Sequence, residues 1–111
     1  MFVRIYTGSD EHSHFEELNL DKGPVEWSKM QSATGAMFRK SEPGQFSDWH
    51  CAPRRQYVIT LSGRMEIGIG DGDTEQFGPG DVLLADDLTG QGHTTRGIGD
   101  EPRVSVAIPL A

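Results

Sequence analysis

His50 and His93 are the residues best suited to carry chemistry; 43 positions separate them, and each lies within or beside a predicted strand. On a strand, residues two apart share a face, so His50 and Ala52 point the same way, and a strand resuming at Gln56 can return a third side chain to that interior. Imidazoles gathered from neighbouring strands suit Fe, Ni, Cu or Zn, and with an ordinary pKa of about 6.5 they also suit proton transfer near neutrality. The other reading makes both histidines interior residues bonded to each other, to Gln56 or to water. Gln56 equally suits satisfying a buried donor or acceptor.

Other candidates surround this group. Arg54 and Arg55 form a basic pair; a guanidinium fork at a pocket mouth would hold a carboxylate, and the alternative is ion pairing with the acidic excess. Trp49 and Tyr57, with Trp27 and Phe38, either line an apolar cavity as ligand-binding residues or pack as core. Cys51, on the opposite strand face from His50, reads as a small core residue rather than a nucleophile. His12 and His14 share an H-x-H spacing, but they sit in an acidic arm without a predicted strand partner and read as solvated or packing residues. Asp86 and Asp87, just before His93, begin a polar loop running to Gln91; they could in principle add a carboxylate to a metal site, but acidic loop residues are usually solvated.

The elements that must position these residues are β-strands. Fourteen Gly and six Pro in 111 residues exceed the usual share, so the chain turns often. From Thr34 onward, short apolar runs are broken by Gly, Pro or Asp every eight to twelve residues or so, the spacing of a sandwich or barrel. Strands are predicted at Ala36 to Arg39, Gln56 to Ser62, Met65 to Ile69, Val82 to Ala85, His93 to Gly97 and Arg103 to Ile108. Ser62-Gly63 and Asp71-Gly72 predict two consecutive hairpins between Tyr57 and Phe77. Phe2 to Thr7 reads as a strand, Glu11 to Leu20 as a helical turn or extended arm, and Gly23-Pro24 breaks the chain before Val25 to Met30.

Charge narrows the function classes. Seventeen Asp and Glu against ten Lys and Arg leave a net charge of −7, which disfavours nucleic acid and anionic membrane alike. No apolar stretch approaches the roughly 18 residues of a transmembrane helix. A single cysteine and an N-terminus without an apolar signal region point to a reducing, cytoplasmic setting.

The spacing also resembles a family. Gly44, His50, Ala52, Gln56 and Gly63 reproduce the first cupin motif, G-x5-H-x-H-x3-E-x6-G. Pro79-Gly80-Asp81 followed by Leu88, Gly90 and His93 is similar to the second, P-x-G-x2-H behind a Gly-Asp turn, with Leu88 where Pro is usual. The chain looks most like the small stand-alone cupins of unsettled activity. The resemblance covers residues 44 to 97 and implies an all-β double-stranded β-helix, or jelly roll. A single domain over 1–111 is expected, with the motif-bearing barrel at about 34–109 and an N-terminal arm and strand over 1–33.

Typical metal-binding cupins use His, His and Glu from the first motif and His from the second; here those places read His50, Ala52, Gln56 and His93. One imidazole and one carboxylate are missing. The leading expectation is therefore a pocket for a small organic molecule, with metal-independent isomerase, cyclase or lyase chemistry. In it His93 is the general acid or base, His50 shares or positions the proton, Gln56 orients the ligand, and Arg54 or Arg55 binds an anion. The alternatives are a divalent Fe, Ni, Mn or Zn ion held by His50, Gln56 and His93, and a non-catalytic sensor or scaffold. Dimerisation is expected through Phe2 to Thr7 adding to a neighbour's sheet, as in many cupins.

Overall fold

The computed structural model describes residues 1–19 and 29–111. Trp27, the Gly23-Pro24 break and most of the Val25 to Met30 segment lie outside the described residues. Among the described residues ten strands occur in the order β1 (Phe2–Thr7), β2 (Ser13–Glu17), β3 (Met37–Ser41), β4 (Phe46–His50), β5 (Gln56–Ser62), β6 (Arg64–Gly68), β7 (Thr74–Phe77), β8 (Val82–Asp86), β9 (His93–Ile98) and β10 (Arg103–Pro109). They form a larger sheet, β2-β1-β8-β5-β10-β3, facing a smaller one, β4-β9-β6-β7. The described residues contain no helix, so the chain is an all-β jelly roll.

Strand alternation builds the core. Val3, Ile5, Leu83 and Ala85 on the larger sheet meet Met65, Ile67 and Phe77 on the smaller one, and all are buried. Burying each of the larger side chains is worth about 1.5–3 kcal/mol relative to exposure. A second apolar cluster, Leu18, Tyr57 and Leu84 with Phe2 and Ile108 packed against it, covers part of the larger sheet's outer face.

Three expectations change. The first third supplies two strands of the larger sheet, and Glu11 to Leu20 contains β2 rather than a helical turn. β1 pairs antiparallel with β2 on one edge and parallel with β8 on the other. Within the single chain both edges of β1 are therefore occupied, where the sequence suggested a detached strand. Finally, Ser62-Gly63 makes no hairpin, because β5 and β6 lie in different sheets. Asp71-Gly72 does turn a hairpin, β6–β7.

Gly63 carries the chain between the sheets with φ of +73°, and a Cβ there would stand 2.6 Å from the Pro102 carbonyl oxygen and 2.7 Å from Arg103 Cα. Both the conformation and the space require glycine. Gly44 has φ of +78° but open space around it. Gly63→Ala is expected to cost about 2 kcal/mol or more, and Gly44→Ala about 1 kcal/mol, with urea denaturation as the measurement.

Candidate functional site

The inner face of the larger sheet changes character from one side to the other. One row runs Val3, Leu83, Val58, Ala107; farther along the strands, neighbouring positions read Thr60, Ser105, Arg39 and then Arg103, Ser41. The apolar side closes a core, whereas the polar side near β3 and β10 leaves a cavity of about 460 Å³ between the sheets. That volume is within the range of small-molecule pockets. Val58, Met65, Ile67 and Leu83 line it as well, so the cavity rests directly on the core.

His50 ends β4 and His93 begins β9, and the two are directly opposed in the β4–β9 ladder. Both line the cavity, with ring centroids 4.5 Å apart and planes at 61°. His50 Nδ1 donates to the Asp48 carbonyl oxygen at 2.6 Å. A carbonyl can only accept, so this proton sits on Nδ1 and leaves Nε2 with its lone pair. His93 Nδ1 donates to Asp87 Oδ2 at 2.5 Å, which fixes the same tautomer there.

Asp87 is the residue that sequence reasoning placed wrongly. It is 0% exposed rather than solvated, and its Oδ2 also accepts from Ser13 Oγ at 2.7 Å, while Oδ1 has no donor among the described residues. Its carbonyl accepts from Ala52 N–H at 3.0 Å. Asp86, one residue earlier, faces the other way and pairs with Arg4 at 2.9 Å and Arg55 at 3.5 Å. Strand alternation at the end of β8 would have separated the two aspartates, had the strand been extended past Ala85.

Gln56 is 6% exposed and lines the cavity with its Oε1 unpartnered among the described residues. The structure does not bring Arg54, Arg55, Trp49 or Tyr57 to the cavity lining. Trp49 and Tyr57 adjoin the inward-facing His50 and Gln56, so alternation turns both outward. Tyr57 packs edge-on against Phe2 and donates to Gln31 Oε1, and Trp49 is exposed. Arg55 is held by Asp86, and Arg54 is exposed. Cys51, expected in the core, is half-buried beside the cavity with its thiol directed at the Gly90 carbonyl oxygen at 3.3 Å. His12 and His14 bond to Gln91 and Asp10 respectively, away from the cavity, although β2 does give His14 a strand partner in Tyr6. Arg39 and Arg103, unremarked in the sequence, line the cavity in place of Arg54 and Arg55.

Among solved structures, the chain is similar to a cupin 2 conserved barrel domain protein from Salinispora arenicola, at 22% identity over 79% of this chain and 71% of that one, with a TM-score of 0.57. This is a cupin fold. An uncharacterised conserved protein with a double-stranded β-helix domain from Klebsiella pneumoniae matches at 21% identity over 85% and 88% of the two chains, with a TM-score of 0.54. The cupin domain of Schizosaccharomyces pombe Cnp3 matches at 12% identity over 89% and 72%, with a TM-score of 0.56. Such identities establish the fold alone. No family model matches the chain, and no curated protein matches it. No helix among the described residues is long and apolar enough to cross a membrane.

Cupins commonly hold a metal, and two Nε2 lone pairs at the ladder pair are part of what one needs. The rest of the donor set does not fit. Ala52 offers no donor, Gln56 only a neutral amide, and the lining holds two arginines and no carboxylate. The one nearby buried carboxylate, Asp87, is engaged behind the His93 ring. No group of three His, Cys, Asp or Glu suited to an ion occurs among the described residues. A divalent cation would lose its hydration without an anionic ligand to offset the cost.

Protein purified without chelator is expected to carry less than about 0.1 Fe, Ni, Mn or Zn per chain by elemental analysis, and adding each ion should move Tm by less than about 1 °C. Asp87→Ala strands the His93 Nδ1–H and the Ser13 hydroxyl and should cost about 3 kcal/mol, whereas Ser13→Ala should cost about 1 kcal/mol. Urea denaturation checks both, and imidazole 15N shifts should show His93 losing its Nδ1–H preference in Asp87→Asn.

Proposed function

We propose that this cupin binds a small organic molecule in the cavity and moves a proton on it without a metal, in isomerase, cyclase or lyase chemistry. The observation that carries the reading is the buried Asp87–His93 pair, with His93 lining the cavity. A carboxylate behind Nδ1 orients the ring, keeps Nε2 as the basic atom and stabilises the imidazolium that forms when Nε2 takes a proton, the division of labour familiar from catalytic triads. His50, opposite in the ladder, lies close enough to share or return that proton, and the unpartnered Gln56 Oε1 is suited to accept a hydrogen bond from a ligand hydroxyl or amide. The lack of an anionic ligand in the lining supports the metal-free reading over one through His50, Gln56 and His93.

The test begins with a thermal-shift screen of small organic compounds, followed by 1H NMR of each stabilising compound in D2O with the wild-type protein. Deuterium incorporation or conversion is expected for at least one of them. His93→Gln should then slow it by about 100-fold or more while leaving Kd within a few-fold, as loss of a general acid–base does. Unchanged conversion in that variant would remove the mechanism. Stabilising compounds that undergo neither exchange nor conversion would favour a non-catalytic binding protein.

A further inference from the structure

Two arginines face the cavity, and neither has a carboxylate partner among the described residues. Arg103, at the start of β10, donates from Nη2 to Thr60 Oγ1 at 3.1 Å, and its buried Nε has no acceptor among the described residues. Burial strips water from the guanidinium and lowers its pKa to about 10. In the β3–β10 ladder Ser105 opposes Arg39 and Arg103 opposes Ser41, so the arginines are diagonal neighbours on the same inner face. Diagonal positions lie about 7–8 Å apart, a span that long side chains close readily.

This arrangement runs against the rest of the molecule. The chain has a net charge of −7, yet no Asp or Glu is among the residues that line the cavity. Glu101, two positions before Arg103, is exposed and forms no ion pair with it. A guanidinium held only to stabilise a fold would ordinarily be given an acidic partner, because an unpaired, desolvated cation is costly. On the facing sheet lie Met65 and Ile67, and Val58 stands beside the arginines' own strands; these suit an apolar body, and at another part of the wall lie His50 and His93.

We propose that the ligand is a small organic acid: its carboxylate is gripped by Arg103 together with Arg39, its apolar body lies over Val58, Met65 and Ile67, and its far end meets His93. This names the substrate class of the pocket proposed above and rests on that reading. Arg103 and Arg39 thus take the anion-binding role that the sequence suggested for Arg54 and Arg55.

Calorimetric titration of the whole chain with benzoate and phenylacetate, with their neutral amides benzamide and phenylacetamide, and with inorganic phosphate tests it. The acids should bind about 10-fold or more tighter than their amides and tighter than phosphate, as charge-assisted hydrogen bonds to an arginine fork require. Arg103→Gln should weaken the acids about 10-fold or more and the amides less than about 3-fold. Arg39→Gln, on an exposed strand, should shift the preference in the same direction with the fold intact, which keeps the test valid if Arg103→Gln misfolds. Equal affinity for acids and amides, tighter binding of phosphate, acid affinity unchanged in both variants, or no acid binding at all would each overturn the assignment. Acid binding that depends on the arginines, alongside conversion that survives His93→Gln, would sustain this inference while removing the proton-transfer reading.

Discussion

A carboxylate wholly removed from solvent has to be answered by donors, and Asp87 organises the molecule around that need. Its side chain takes a hydrogen bond from Ser13 on β2 and another from His93 on β9, while its carbonyl receives the N–H of Ala52 beyond β4. Three segments distant in sequence converge on one residue. The desolvation of an unanswered carboxylate would amount to several kcal/mol, so these segments cannot separate independently. The same requirement gives His93 its tautomer. Packing and chemistry are therefore served by one set of hydrogen bonds.

The barrel divides its interior between two tasks. On the side of β1, β8, β6 and β7, side chains such as Ile5, Ile67 and Phe77 fill the space between the sheets. On the side of β3 and β10 the inward positions that line the cavity carry serine, alanine and arginine, too small or too polar to close it. The outward positions of the same strands hold Val104, Val106 and Ile108, and Phe38 stands 75% exposed. Around the cavity this partly reverses the ordinary order of apolar inside and polar outside, as a hollow lined for a polar guest requires.

Much of this fold was legible in the chain, because turn residues and apolar alternation are local signals. The cupin spacing singles out His50, Gln56 and His93, and all three line one cavity. Trp49 and Tyr57 failed for a reason also visible locally: each adjoins an inward residue and so must face outward. Ser62-Gly63 looks like a hairpin turn in sequence, and only the pairing of β5 with β8 and β10 reveals a passage between sheets. Asp87 and Ser13 were hidden because their partnership spans 74 positions, and no local pattern marks a buried carboxylate within a polar loop. Arg103 did leave a trace. In Arg103-Val104-Ser105-Val106-Ala107-Ile108 the alternation is clear, but which of its faces is inward depends on the partner strands.

The parallel pairing of β1 with β8 has a kinetic side. Residues 2–6 rest against residues 82–86, so the β1–β2 hairpin can close early while its second edge waits for chain made some eighty residues later. Until then Val3 and Ile5 have no β8 to cover them, and the strand edge stays open to other chains. Folding dominated by such distant pairings is slow, and its intermediates are prone to aggregate. During synthesis the Asp87–His93 pair is necessarily among the last parts to form, which makes its completion a late signature of a correctly assembled barrel.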